Sequence, residues 1–242
     1  MQAKRKRVLI TGSTGTIGSA VAERFAAPGM WLALAYGSDD AGAQALAERV
    51  GAVCQVQTIG QDLSERDGPE KLIARSHELM GGLDALIHCA AVFERAPLGT
   101  VTEEQWDRVV DTNLKASFFL AQAACARMRE AGGSILMLSD VAAQKPYSGY
   151  LPYCISKAGV DAMVKGLAKT AAPKVSVNAI APYLVSRPDG MSDEGWKDML
   201  DKTPIRRASS PEEIAELAYT IVQSCDTITG QVIAVDGGRM LR

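Results

Sequence analysis

Two side chains four residues apart, Tyr153 and Lys157, carry the clearest chemistry in this 242-residue chain. In a helix that spacing puts both on one face. A phenol with a reference pKa of about 10 exchanges protons poorly at neutral pH. A neighbouring ammonium favours the phenolate and lowers that value. Such a pair can pass a proton to or from a carbonyl or imine carbon's heteroatom. A second feature is the glycine-rich run Thr11-Gly12-Ser13-Thr14-Gly15-Thr16-Ile17-Gly18. Glycines let backbone N–H groups approach a pyrophosphate, and the helix that starts there adds partial positive charge. Taken singly, the pair reads as surface decoration and the run as a tight turn. Together in one alternating α/β chain they read as a dinucleotide-dependent site.

The elements that must position these residues alternate. Short apolar runs with strand character fall at 7–11, 31–36, 53–58, 85–88, 134–139, 175–180 and 231–235. Helix-period segments fall at 17–27, 41–50, 69–80, 103–130, 152–172 and 211–224. This order predicts parallel strands joined by crossover helices, a doubly wound Rossmann-type α/β sheet of about seven strands. Buried parallel strands read as continuous apolar runs, as Ile135-Leu136-Met137-Leu138 does. There is no repeat or linker to divide residues 1–242, so the expectation is one domain. The least regular stretch, about 183–210, follows the sixth strand. Ligands of such sheets bind beyond the carboxyl ends of the strands, so this stretch is a candidate lid over a small-molecule substrate.

Composition narrows the partners. The formal net charge is −2, with 47% hydrophobic and 22% charged residues. That balance gives no basic footprint for nucleic acid or a membrane surface. The apolar run 30–36 is far short of the ~20 residues that span a bilayer. Lys4-Arg5-Lys6-Arg7 could open a signal peptide, but Val8-Leu9-Ile10 runs straight into Thr11-Gly12, so a solvated leader is expected. The cysteines (Cys54, Cys89, Cys125, Cys154, Cys225) are odd in number and lack CxxC spacing. They fit a reduced, cytoplasmic setting. His77 and His88 lie in unrelated segments, and no metal site is expected.

The glycine run, Tyr153-Cys154-Ile155-Ser156-Lys157 and Asp236-Gly237-Gly238 together resemble the short-chain dehydrogenase/reductases, over about residues 7 to 242. The resemblance implies hydride transfer with NAD(H) or NADP(H), a Tyr153–Lys157 acid–base pair and a homotetramer or homodimer, through the long helices 103–130 and 152–172. It further implies that Asn113 holds a water of the proton relay, that Asp62 with Leu63 meets adenine, and that Pro182 and Val185, with Ser186, lie at the carboxamide. Cys89, Ala90 and Ala91, with His88, stand where the family has Asn-Asn-Ala-Gly.

Other departures point to a subgroup. The family's serine lies 13 residues before the tyrosine, which here is Asp140, with Ser139 one step off. One step along a strand end turns a side chain to the opposite face, so Asp140 is expected at the site. Asp140, Tyr153 and Lys157 resemble the pteridine reductases, as do Phe93 in the place of the ring that stacks on a pterin and the ending Asp236-Gly237-Gly238-Arg239-Met240-Leu241-Arg242. A flat heteroaromatic between nicotinamide and an aromatic ring makes physical sense. One feature argues against that subgroup, which carries an arginine in the glycine turn where this chain has Thr16: either an arginine from elsewhere, such as Arg187 or Arg239, stands in or the substrate differs. Tyr183 replaces a glycine and is expected at the substrate.

The end of the second strand bears on the cofactor. A carboxylate there would bond the ribose hydroxyls. The position is Tyr36, followed by Gly37 and Ser38, which favours NADP(H) over NAD(H). Asp39 and Asp40 also read as N-cap residues of the next helix. Two alternatives stay open: a ketoreductase of the same family, such as a 3-oxoacyl carrier-protein reductase, and a non-catalytic dinucleotide-binding regulator.

Overall fold

Apolar runs, buried on both faces in the central strands and half-exposed at the two edges, become the strands of one seven-stranded parallel sheet in a computed structural model that describes residues 6–187 and 190–242. They are β1 (Arg7–Thr11), β2 (Trp31–Tyr36), β3 (Gln55–Gly60), β4 (Ala85–His88), β5 (Gly133–Leu138), β6 (Val175–Pro182) and β7 (Val232–Val235). The spatial order is β3-β2-β1-β4-β5-β6-β7. The strand order reverses between β1 and β4, which opens a crevice at the carboxyl ends. There Thr11 pairs with Ala35 on one side and His88 on the other.

Helices cover both faces. The helices α1 (Thr16–Phe25), α2 (Asp40–Gly51) and α8 (Pro211–Ser224) bury Phe25, Leu46 and Ile214 against Val8, Ile10 and Leu32. On the other face α3 (Gly68–Met80), α5 (Ala116–Met128) and α6 (Leu151–Ala171) bury Leu72, Leu120 and Val160 against Leu9, Leu86 and Ile135. Among the described residues no helix is long and apolar enough to cross a membrane.

Three expectations need correction. The third strand starts two residues later than its apolar run, because Val53 is exposed and the chain is still turning out of α2. The helix expected over 103–130 is broken into α4 (Glu103–Val110), a π turn (Asp111–Lys115) and α5. The stretch 183–210 contains α7 (Asp193–Asp201), which buries no residue and so leaves no core periodicity in the sequence. Within that stretch Pro188 and Asp189, and in the basic leader Lys4 and Arg5, lie outside the described residues.

A buried polar chain ties β1, β4 and the π turn together. Ser117 Oγ donates to the Asn113 carbonyl at 2.6 Å, so it accepts from His88 Nε2 at 2.8 Å. Nδ1 of His88 is then the acceptor for the Thr11 hydroxyl at 2.6 Å. Thr11 Oγ1 in turn receives the Ala90 N–H at 3.4 Å. Burial, with the Lys157 charge nearby, pushes His88 down to about 3, so the ring is neutral in the folded chain. In the unfolded chain it titrates at about 6.5. The folded state therefore binds fewer protons, and stability is lost as pH falls below about 6.5 toward His88's folded value, by at most about 1.4 kcal/mol per pH unit from this group. Urea unfolding from pH 7 to 4 is expected to show that slope in the parent and a flatter one in His88→Asn; equal slopes would refute it.

Candidate active site

The last residue of β5 sets the site. Leu138 directs its carbonyl to Lys157 Nζ at 2.7 Å, and the ammonium is buried on α6. The backbone then leaves the sheet, and successive side chains face opposite ways. Ser139, whose N–H still bonds Ile180, sends its hydroxyl to the Asp161 carboxylate. Asp140 faces the other way and caps a short 3-10 helix (Val141–Ala143) by accepting the Ala142 N–H at 2.7 Å. Its Oδ2 accepts from Tyr153 Oη at 2.8 Å and its Oδ1 from Tyr147 Oη at 2.8 Å. The structure thus brings Asp140, Tyr153 and Lys157 together and turns Ser139 away.

The electrostatics differ from the simple pair read off the sequence. Lys157 does not touch the phenol: its Nζ lies 5.6 Å from the ring centre of Tyr153. Burial and the Asp140 carboxylate push the Tyr153 phenol upward rather than down. Burial also pulls Lys157 down to about 8, against the opposing pull of the Asp140 and Asp161 carboxylates. Asp140 itself is raised above the ordinary carboxylate range by burial, although Ala142, Tyr153, Tyr147 and Lys157 all act to lower it. In this arrangement Tyr153 is a firmly protonated donor, poised to give rather than take a proton.

Asn113 serves a purpose its sequence context did not reveal. Its side-chain oxygen accepts the Val92 N–H at 2.7 Å, and its amide nitrogen donates to the Val92 carbonyl at 2.8 Å. The same nitrogen lies 3.3 Å from Ser156 Oγ. Both ends of the side chain thus hold the backbone of Val92 in place. The π turn presents Asn113, buried, to the segment after β4, a use such turns often have at functional sites.

The dinucleotide cleft lies at the β1–β4 crevice. It is lined by Thr11, Gly12, Thr14, Gly15, Tyr36, Gly37, Ser38, Asp62, Leu63, Cys89, Ala90 and Ala91. Several observations test whether these residues fit a dinucleotide. Gly12 has φ +61°, and a Cβ there would lie 2.6 Å from the Ala90 nitrogen, so only glycine allows the turn to approach β4. A Cβ on Gly18 would lie 2.1 Å from the Gly12 carbonyl. Gly15 is the N-cap of α1 and offers no side chain to cap it, and among the described residues no side chain bonds the first free N–H groups of Thr16, Ile17 and Gly18. Among the described residues the buried Ser13 hydroxyl has no partner. A bare helix N-terminus and an unpartnered hydroxyl beside it fit a phosphate group. At the cleft's far end Asp39 caps α2 through the Gly42 N–H at 2.9 Å, and Tyr36 Oη donates to Asp40 at 2.7 Å. Asp62 Oδ1 takes the N–H and hydroxyl of Ser64 at 2.8 and 2.7 Å. Desolvation pushes the Cys89 thiol up to about 12, so it is an uncharged wall of the cleft. Pro182 ends β6, and Val185 packs at the edge of the core beside α8.

Aromatic rings border the catalytic cluster. Phe93 is 54% exposed, stacks on Tyr150 at 4.5 Å and 6°, and meets Tyr153 edge-on at 4.7 Å. One face of Phe93 is therefore already covered. Tyr183 lies 6.2 Å from Tyr147, with the Arg239 guanidinium 5.6 Å from its ring centre. Arg187 bonds Met191 and Asp193 at the start of α7 rather than the glycine turn. Tyr147 and Tyr150 escaped the sequence reading. Tyrosines at every third position from 147 to 153 were the available signal, since that spacing returns to one side of a turning chain.

Comparison with known proteins agrees with this geometry. The family described as enoyl-(acyl carrier protein) reductase matches residues 12–239. Human dehydrogenase/reductase SDR family member 4 is 33% identical over 241 residues, covering 96% of this chain and 87% of that protein. The 3-oxoacyl-(acyl-carrier-protein) reductase FabG of Staphylococcus aureus (strain N315) is 33% identical over 239 residues, covering 96% and 97%. A short-chain type dehydrogenase/reductase from Mycobacterium ulcerans superposes with a TM-score of 0.92 at 27% identity, covering 100% of this chain and 92% of the other. None of these names carries the pteridine subgroup suggested by Asp140. With the doubly wound sheet, the bare glycine turn and the Tyr153–Lys157 face in place, the chain belongs to the short-chain dehydrogenase/reductase family of NAD(P)-dependent oxidoreductases.

Proposed function

We propose that this oxidoreductase reduces a C=N bond of a flat nitrogen heterocycle of the dihydropterin class. The observation that carries the reading is Asp140, a half-buried carboxylate in hydrogen-bond contact with Tyr153. A ketone offers only an oxygen acceptor that gains negative charge as it is reduced, and a carboxylate beside it would oppose that charge. A heterocycle with ring N–H and amino groups offers donors, which a carboxylate accepts. The exposure of Phe93, whose ring meets Tyr153 edge-on, supports a planar ring bound against it.

The roles of the chain's own groups follow. The turn Gly12 to Gly18, with Ser13 and Thr14, holds the pyrophosphate, Asp62 and Leu63 border the adenine, and Pro182 and Val185 border the carboxamide. When bound, the nicotinamide supplies the hydride. Tyr153 gives the proton to the substrate nitrogen, and Lys157 keeps the local potential positive as the phenol loses it. Asp140 accepts a substrate N–H. Tyr183 closes the far side.

Consumption of NADPH with a 7,8-dihydropterin is expected to exceed that with a 3-oxoacyl thioester at equal concentration. Tyr153→Phe is expected to cut turnover by about 10²–10⁴-fold with cofactor affinity retained. Turnover of the thioester alone would replace this reading with a ketoreductase one, which the FabG relative favours. A tightly bound cofactor with no turnover of any carbonyl or imine would make the chain a dinucleotide-binding regulator.

NADP(H) is proposed over NAD(H), because Tyr36, Gly37 and Ser38 carry no carboxylate and Asp39 and Asp40 are engaged by Gly42 and Tyr36. Fluorescence titration should give a lower Kd for NADPH than for NADH; the reverse order would refute it. A homo-oligomer is supported by Phe118 and Phe119 on α5, which are 42% and 46% exposed. Sedimentation equilibrium should report a tetramer or dimer, and a monomer at micromolar concentration would overturn this.

A further inference from the structure

We propose that Tyr147 is a positioning residue that holds the Asp140 carboxylate in one rotamer and leaves a single oxygen to read the substrate. It rests on the reading of Asp140 as a substrate-facing group. Oδ1 of Asp140 takes two donors, the Ala142 N–H at 2.7 Å and Tyr147 Oη at 2.8 Å. Oδ2 takes only Tyr153 Oη. When Tyr153 turns its proton toward a substrate, Oδ2 is released and Oδ1 is not. One released oxygen beside the proton donor accepts one N–H in one register, whereas a freely rotating carboxylate would offer either edge.

Tyr147 is built to stay where it is. Its N–H is held by Cys154 Sγ at 3.3 Å, one residue from Tyr153. Its carbonyl receives the Tyr150 N–H at 3.2 Å. Its ring packs with Val109, Ala142 and Tyr153, and on the far side meets Tyr183. Burial and the Asp140 charge keep the phenol protonated, so it acts only as a donor. The titratable groups facing Asp140 are Tyr147 from the segment before α6 and Tyr153, Cys154 and Lys157 from α6. Of the two side chains that donate a hydrogen bond to it, Tyr147 is the one with neither a reacting atom nor a cofactor role in the proposed chemistry.

The test is Tyr147→Phe, alone and with Asp140→Asn, read two ways. The first readout is the pH dependence of kcat/KM for the dihydropterin. Loss of a donor to the charged form raises the carboxyl, so the inflection due to Asp140 is expected to move up by about one pH unit. KM is expected to rise by about tenfold with a smaller change in kcat. The second readout needs no substrate. The folded chain holds the Asp140 proton more tightly than the unfolded chain, so stability is lost as pH rises from about 4 through the folded value. Tyr147→Phe should deepen that loss in the parent and have no pH-dependent effect in Asp140→Asn. Parallel pH profiles of unfolding for Tyr147→Phe and the parent would overturn the proposal. No dihydropterin turnover in the parent would sink the substrate reading, while the unfolding profiles would still decide the Tyr147–Asp140 coupling.

Discussion

A charge with almost no access to water governs this site. Removing the Lys157 ammonium from solvent is costly unless partners face it. The Leu138 carbonyl supplies the direct bond, and Asp140 and Asp161 supply opposite charge on either side. The end of β5 must therefore stop where it does, because one more residue of regular strand would turn the wrong carbonyl and the wrong side chain to α6. The same stop sends Ser139 and Asp140 to opposite faces. Lys157 thus fixes the direction of the strand end as well as the local potential.

From that anchor the remaining parts fall into two polar chains. One runs from Thr11 through His88 and Ser117 to the Asn113 carbonyl, joining the start of the glycine turn to the π turn. The other runs from Tyr147 through Asp140 to Tyr153. Asn113 meets both regions by clamping Val92, next to Phe93, and by touching Ser156 beside Lys157. Buried polar chains of this kind are stable only when every member is satisfied. The Ser13 hydroxyl is the buried side-chain group left without a partner among the described residues, and it sits on the cofactor side.

Much of this was readable before any coordinates. Strands buried on both faces, β1, β2 and β4, sit where their apolar runs lie, because nothing competes with burial there. The two-residue alternation at Ser139 and Asp140 is seen in their contacts, Ser139 with Asp161 and Asp140 with Tyr153. The edge strand β3 was less legible, since its exposed side weakens the apolar signal. The upward push of Asp140 on Tyr153 was not legible, because sequence spacing shows the ammonium but not the carboxylate that the fold brings closer. Tyr147 was missed for a related reason: its contact depends on how a loop returns, which no helix or strand period encodes. The hidden break in 103–130 preserved apolar character on both sides, so periodicity alone did not reveal it.

That break has a consequence for how the chain tolerates change in length. A π turn holds one residue more than the α turn it replaces, and each residue rotates a helix by about 100°. Deleting a single residue between Asp111 and Lys115 would give an uninterrupted α-helix, more regular as secondary structure. It would also rotate α4 against α5 by that amount. Leu120, Ala121 and Ala124 could stay against the sheet only if Val109 left its packing with Ala142 and Tyr153, and Asn113 would swing away from Val92. The irregular turn is thus a phase corrector between two helical faces, and shortening the chain here would trade the alignment of the site for a better-formed helix.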